Sequence, residues 1–126
     1  MAKKILICED NQANKVLLRD LLSIDGFEIV EARDGAEGVA LALASKPDLV
    51  IMDIQMPVMN GYDAMRALRA DPRTSGTRII AITSFAMAGD RELAIEAGAD
   101  EYLSKPIDTR YLRRLARRLL DFPTGD

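Results

Sequence analysis

Histidine is absent from this chain, and cysteine occurs once. Without His there are no imidazole metal ligands and no imidazole general base. One Cys rules out an internal disulfide. Cys8 lies inside the apolar run Ile5-Leu6-Ile7-Cys8, where a thiol reads as a buried structural group of a reducing compartment. No apolar stretch approaches the roughly 20 residues needed to span a bilayer. Met1-Ala2-Lys3-Lys4 runs directly into the first apolar segment and is too short for a signal peptide. These absences point to the cytoplasm and away from membranes. Positive charge is also short: 17 Lys and Arg against 20 Asp and Glu leave a net charge of −3. With a pI near 5.0, bulk charge gives no basis for nucleic-acid binding. There is no linker, low-complexity tract or repeat of motif length.

What remains is an ordinary globular composition, 48% hydrophobic and 29% charged over 126 residues. A chain of this length buries roughly two-thirds of its unfolded surface, enough for one core. Residues 1–126 read as a single domain with no effector domain. The pattern alternates between short apolar runs and longer amphipathic segments. Strands are expected at 4–8, 27–31, 48–52, 78–83 and 101–104. Helices are expected at 11–23, 35–45, 61–70, 89–97 and from a cap at Asp108 to about Asp121. In the first helix Val16, Leu17, Leu18, Leu21 and Leu22 are assigned to the inner face. Five β-then-α units with near-continuous apolar strands imply a parallel sheet covered on both faces, an α/β sandwich of three layers.

Four of the apolar runs end in residues able to handle a phosphoryl group. Ile5–Cys8 ends in Glu9-Asp10, and the run at 49–52 ends in Asp53. The run at 79–82 ends in Thr83, and Tyr102-Leu103-Ser104 ends in Lys105-Pro106. In open α/β sheets ligands bind outside the carboxyl edge of the strands. Parallel strands would therefore bring three carboxylates, a hydroxyl and an ammonium to one place. That set suits a divalent cation and a phosphoryl group. Each residue also has a plainer reading. Asp10 and Asn11 suit helix capping, Asp53 suits a turn, Lys105 a solvated strand end, and Thr83 a strand.

The chain resembles a response-regulator receiver domain of the CheY-like kind. The resemblance is carried by Ile7-Cys8-Glu9-Asp10-Asn11, by Met52-Asp53-Ile54-Gln55-Met56-Pro57-Val58-Met59-Asn60-Gly61, by Ala81-Ile82-Thr83-Ser84, and by Gly98-Ala99-Asp100-Glu101-Tyr102-Leu103-Ser104-Lys105-Pro106. Glu9 to Asn14 and Thr83 to Met87 are similar to DivK-type single-domain regulators and to receivers fused to hybrid histidine kinases. The resemblance implies a flavodoxin-like (βα)5 fold with strand order 2-1-3-4-5. It implies Asp53 as phosphoacceptor, with Thr83 and Lys105 contacting the phosphoryl group. Mg²⁺ would be held by Glu9, Asp10, Asp53 and the backbone carbonyl of Gln55. Thr83 and Tyr102 would form the switch, and the Lys105–Pro106 peptide would be cis. Gln55 and Phe85 occupy positions that tune dephosphorylation. The implied partners are a histidine kinase or a histidine phosphotransfer protein. Output and homodimerisation are assigned to the face made by the fourth helix, fifth strand and fifth helix. Such a protein is a signalling switch, not an enzyme acting on a separate substrate.

Other functions remain open at this point. A small aspartyl-phosphate phosphatase would need a second Asp where Gln55 stands. A flavin mononucleotide carrier would need a Ser/Thr/Gly-rich loop where Asp10-Asn11-Gln12 stands. An unphosphorylated docking module and a receiver excised from a hybrid kinase are further readings. In the last helix Arg110, Arg113, Arg114, Arg117 and Arg118 are expected on one face, opposite Leu112, Leu115, Ala116 and Leu119. That face reads either as solvated charge or as a docking or dimer surface using Arg forks on carboxylates.

Overall fold

Ile5 to Cys8, Leu49 to Met52 and Ile79 to Ile82 are completely sealed from solvent. Strands covered on both faces keep such continuous apolar runs, and these three form the middle of a sheet. The computed structural model describes residues 2–84 and 87–120. Its elements are β1 (Lys4–Cys8), α1 (Gln12–Ser23), β2 (Glu28–Ala32), α2 (Gly35–Ser45), β3 (Leu49–Asp53), α3 (Gly61–Ala70), β4 (Arg78–Thr83), α4 (Asp90–Ala97), β5 (Glu101–Ser104) and α5 (Thr109–Leu119). The five strands are parallel and lie in the order β2-β1-β3-β4-β5. This is the flavodoxin-like (βα)5 architecture.

Strand alternation divides the core in two. Leu6, Cys8, Val50, Met52, Ile79 and Ala81 pack with Ala42 of α2, Met65 and Leu68 of α3, and Ala94 of α4. Ile5, Ile7, Leu49, Ile51, Ile80 and Ile82 pack with Leu18 and Leu22 of α1 and Leu112 and Leu115 of α5. Each fully buried aliphatic side chain contributes about 1.5–3 kcal/mol of transfer free energy. Helix starts are set by side-chain caps: Asn11, Asp34, Asn60 and Asp108 accept from the backbone N–H groups of Asn14, Glu37, Asp63 and Tyr111.

Several boundaries differ from the sequence reading, each for a local reason. Asn11 is the cap of α1 and not its first residue. Leu17 is 47% exposed and does not belong to the inner face, because α1 meets the sheet through Leu18 and Leu22. β2 begins one residue later than expected, and Phe27 is buried below it against the α1/α5 core. β3 is likewise displaced by one: the Asp48 carboxylate accepts from the Lys4 N–H at 2.8 Å, and Asp53 closes the strand. Gly89 is the cap of α4, at φ +89°. α5 ends at Leu119, and Asp121 lies outside the described residues. The polar loop at 71–76 has a buried centre, Thr74, whose hydroxyl donates to the Leu68 carbonyl at 2.7 Å.

Candidate functional site

The strand order places β1 beside β3, with β2 on its other side. The order in which strands are added to the sheet reverses there, and the crevice opens at the carboxyl ends of β1 and β3. Glu9 follows β1 directly and is fully buried; its backbone N–H is held by the Ala32 carbonyl at 3.0 Å. Asp53, the last residue of β3, is 3% exposed. Asp10 is exposed at the mouth. One carboxylate oxygen from each of Glu9, Asp10 and Asp53 lies within 4.8 Å of the others.

Lys105 follows β5 and reaches back across the sheet edge. Its Nζ donates to Glu9 Oε1 at 2.9 Å and to Asp53 Oδ2 at 3.1 Å. The remaining oxygens are engaged by backbone groups. Asn11 N–H donates to Glu9 Oε2 at 3.2 Å, and Gln55 N–H donates to Asp53 Oδ1 at 3.0 Å. Burial pushes the Glu9 carboxyl above the usual range, and a hydrogen bond with Asp53 adds to the rise, with Lys105 opposing it. Burial alone would lower the Lys105 ammonium. Its bonds to Glu9 and Asp53 outweigh this and raise it. The cluster therefore carries more negative charge than one ammonium offsets. Hard oxygen donors at this spacing, with one exposed carboxylate at the mouth, fit a small divalent cation that keeps part of its water shell.

The backbone beneath Asp53 leaves no slack. Ile54 N–H bonds to the Ile82 carbonyl and its carbonyl accepts from Gly61 N–H. A Cβ at Gly61 would sit 2.7 Å from the Asp53 carbonyl oxygen, so only Gly lets α3 start this close to the site. Between them, Val58 holds φ +69°, a costly value for a β-branched residue.

Thr83 closes β4 and is 1% exposed. Its carbonyl accepts from Lys105 N–H at 2.8 Å, tying the two ends of the site together. The Lys105–Pro106 peptide is cis. Tyr102 pairs in register with Ala81. Its ring packs against the α2–α4 side of the core, and its hydroxyl oxygen is buried with no hydrogen-bond partner among the described residues. Burial raises its phenol. Phe85 lies outside the described residues.

The five arginines of α5 share the face opposite the buried Leu112, Leu115 and Ala116, but they divide by partner. Arg113 Nε and Nη2 grip both oxygens of Asp25 at 3.1 and 2.9 Å, and Arg117 Nη1 stands 3.6 Å from the same carboxylate. The Arg113 hydrogen bonds hold Asp25 below the usual carboxylate range. Arg118 leans the other way, 3.9 Å from Glu101 of β5. Arg110 and Arg114 are exposed. The spacing 113/117 is one helical turn, but Asp25 precedes Arg113 by 88 positions, so the sequence carries no sign of the pairing. Two further groups escape sequence reasoning. Gln55 contributes its side-chain amide as well as its backbone: Nε2 donates to the Thr83 hydroxyl, and Oε1 accepts from Ser84 N–H at 3.0 Å. Arg69 ties the end of α4 to α3, donating to the Gly98 carbonyl and to Asp100 Oδ2.

Residues 5–117 match the family described as the response regulator receiver domain. The polar-differentiation response regulator DivK of Brucella anthropi is 38% identical over 122 residues, covering 96% of this chain and 99% of the relative. Among solved structures, the receiver domain of a sensor histidine kinase from Pseudomonas aeruginosa PAO1 superposes with a TM-score of 0.88. It is 34% identical, with 96% of this chain and 99% of the other covered, and it carries a magnesium ion in its active-site cleft. The chemotaxis protein CheY4 of Vibrio cholerae also gives 0.88, at 28% identity and 95% and 100% coverage. A match of this extent makes the chain a member of the response regulator receiver family of two-component systems.

Proposed function

We propose that the chain is a phosphorylation-dependent switch that takes a phosphoryl group on Asp53 from a histidine kinase or a histidine phosphotransfer protein. The observation that carries this reading is the Lys105 ammonium, fixed between Glu9 and Asp53. A carboxylate oxygen of Asp53 attacks phosphorus, the P–N bond of the phosphohistidine breaks, and an aspartyl phosphate forms. Lys105 supplies a cation to the transferred oxygens without having to move far, and catalysis of this step is mainly positioning and charge. Glu9, Asp10, Asp53 and the Gln55 carbonyl would hold Mg²⁺. When bound, the ion would offset the charge of the acidic cluster and of the arriving phosphoryl oxygens. Thr83 would donate to the phosphoryl group, and the movement would pass through Tyr102 to the face formed by α4, β5 and α5.

On this reading the protein assists its own phosphorylation and dephosphorylation and has no other substrate. Gln55 stands where a phosphatase of this chemistry would need its acid. The chain acts by protein–protein contact in the cytoplasm, as a DivK-like single-domain regulator. Homodimerisation, if it accompanies signalling, would use the same α4–β5–α5 face. Among the described residues no helix is long and apolar enough to cross a membrane. The likeness to the Pseudomonas kinase receiver favours one second reading, a receiver that belongs to a hybrid kinase.

The test is intact-protein mass spectrometry after incubation with acetyl phosphate and Mg²⁺. One phosphoryl adduct is expected, absent in Asp53→Asn and absent with EDTA. No adduct under any condition would leave Asp53 a structural residue and the chain an unphosphorylated docking module.

A further inference from the structure

Gln55 links the phosphoacceptor to the groups at the end of β4 that would receive its phosphoryl oxygens. Its backbone N–H is bound to Asp53 Oδ1 at 3.0 Å. Its side chain crosses to the end of β4, 28 positions away. There the amide is used at both ends: Nε2 donates to the Thr83 hydroxyl oxygen, and Oε1 accepts from the Ser84 backbone N–H at 3.0 Å. Asp53 is paired in register with Ile82, so Thr83 and Ser84 are the next groups beyond the phosphoacceptor on the neighbouring strand. A phosphoryl group on Asp53 would bring three strong acceptor oxygens to this spot. The donors within its reach from β4 are the Thr83 hydroxyl and the Ser84 N–H. The carboxamide oxygen already holds the Ser84 N–H, and its Nε2 holds the Thr83 hydroxyl oxygen, which restricts where that hydroxyl can turn its proton.

We propose that the Gln55 side chain is a positioning residue that latches Thr83 and Ser84 in the unphosphorylated chain and must be displaced before a phosphoryl group on Asp53 can engage them. The inference rests on Asp53 being the phosphoacceptor. The exchange breaks no covalent bond. Ser84 N–H trades an amide oxygen for a phosphoryl oxygen, and the Thr83 hydroxyl is freed from an amide donor so that it can turn its proton to the new acceptor. A neutral amide is a weaker acceptor than a charged oxygen, so phosphorylation wins the exchange at a reduced net gain. The latch thus sets how strongly the phosphoryl group is held, independently of the lysine and the acidic cluster. An apolar side chain of similar length would fill the same space but could neither donate nor accept.

Beryllofluoride, which binds carboxylates as a non-covalent phosphoryl mimic, separates these contributions. Amide NMR in Mg²⁺ would follow its titration into wild type, Gln55→Ala, Gln55→Met and Asp53→Asn. Hydrogen exchange at Ser84 would be read beforehand, without beryllofluoride. Gln55→Ala and Gln55→Met should both half-saturate at a concentration roughly tenfold lower than wild type, about the effect of two hydrogen bonds. Both should also lose protection at the Ser84 N–H. Equal or weaker binding in both variants would overturn the latch. So would a Gln55→Met that matches wild type while Gln55→Ala differs, because bulk alone would then explain the effect. A wild type that fails to bind beryllofluoride more tightly than Asp53→Asn would instead defeat the phosphoacceptor reading, and the latch's role with it.

Discussion

Lys105 and Glu9 bond across 96 positions of chain, yet both are legible as site residues from the sequence alone. Each closes an apolar run, and only a shared sheet edge makes sense of an ammonium and carboxylates placed so. The Gln55 amide is not legible. Its partners depend on the β3–β4 register and on a rotamer, neither of which leaves a trace in spacing. Asp25 is similar: an acid before Gly26 reads as a turn residue until α5 is docked over it. Its carboxylate is held below the ordinary range by the Arg113 fork, so the sign of its pH dependence is fixed. Stabilisation by this pair is fully present above the unfolded carboxylate pKa of about 3.9 and is lost as pH falls through the lower folded value. Compared with Asp25→Asn, the wild type should be more stable by about 1–2 kcal/mol at pH 7. The two should converge in urea melts repeated at successively lower pH below about 4.

At the scale of elements, α5 shows how a helix can carry two charge patterns under one composition. Leu112, Leu115 and Ala116 face the sheet. Arg113 and Arg117, one turn apart, border that apolar stripe and clamp the α1–β2 turn through Asp25. Arg110 and Arg114 are exposed. Helical periodicity reveals the stripe but does not tell which arginines have partners, because those partners lie on other elements. Charge reversal separates the groups. Arg110→Glu with Arg114→Glu should leave stability within about 0.5 kcal/mol of wild type, as surface changes do, and weaken binding to the kinase or output partner. Arg113→Glu should lower the melting temperature whether or not binding changes. Binding and melting that follow the opposite assignment would place the docking charge on the Asp25 side. The strand shifts have the same origin. Phe27 looks like a strand residue by type, but its burial comes from packing under α1 and α5, and the ladder with β1 begins at Glu28.

For the whole molecule, alternation of strand and helix makes the layered α/β fold readable, and strand order comes only with the family resemblance. Periodicity is a local quantity, whereas order is set by crossovers. The order matters because it puts the acid-rich ends of β1 and β3 on either side of the switch point. An uncompensated acidic cluster there predicts a global response to metal. Mg²⁺ at about 100-fold over its dissociation constant should stabilise the fold by about 2.7 kcal/mol by mass action. That is a rise on the order of 10 °C in calorimetry for a domain of this size. Asp10→Asn should abolish most of the increment, and an equal rise in that variant would locate the ion elsewhere. The lysine between Glu9 and Asp53 has a last consequence, for truncation. It is contributed by the segment that follows the final strand of the sheet. A chain that ends before β5 would lack the ammonium that bonds both Glu9 and Asp53. The reaction centre is therefore complete only in a chain that carries β5 and the lysine after it, 96 positions from Glu9.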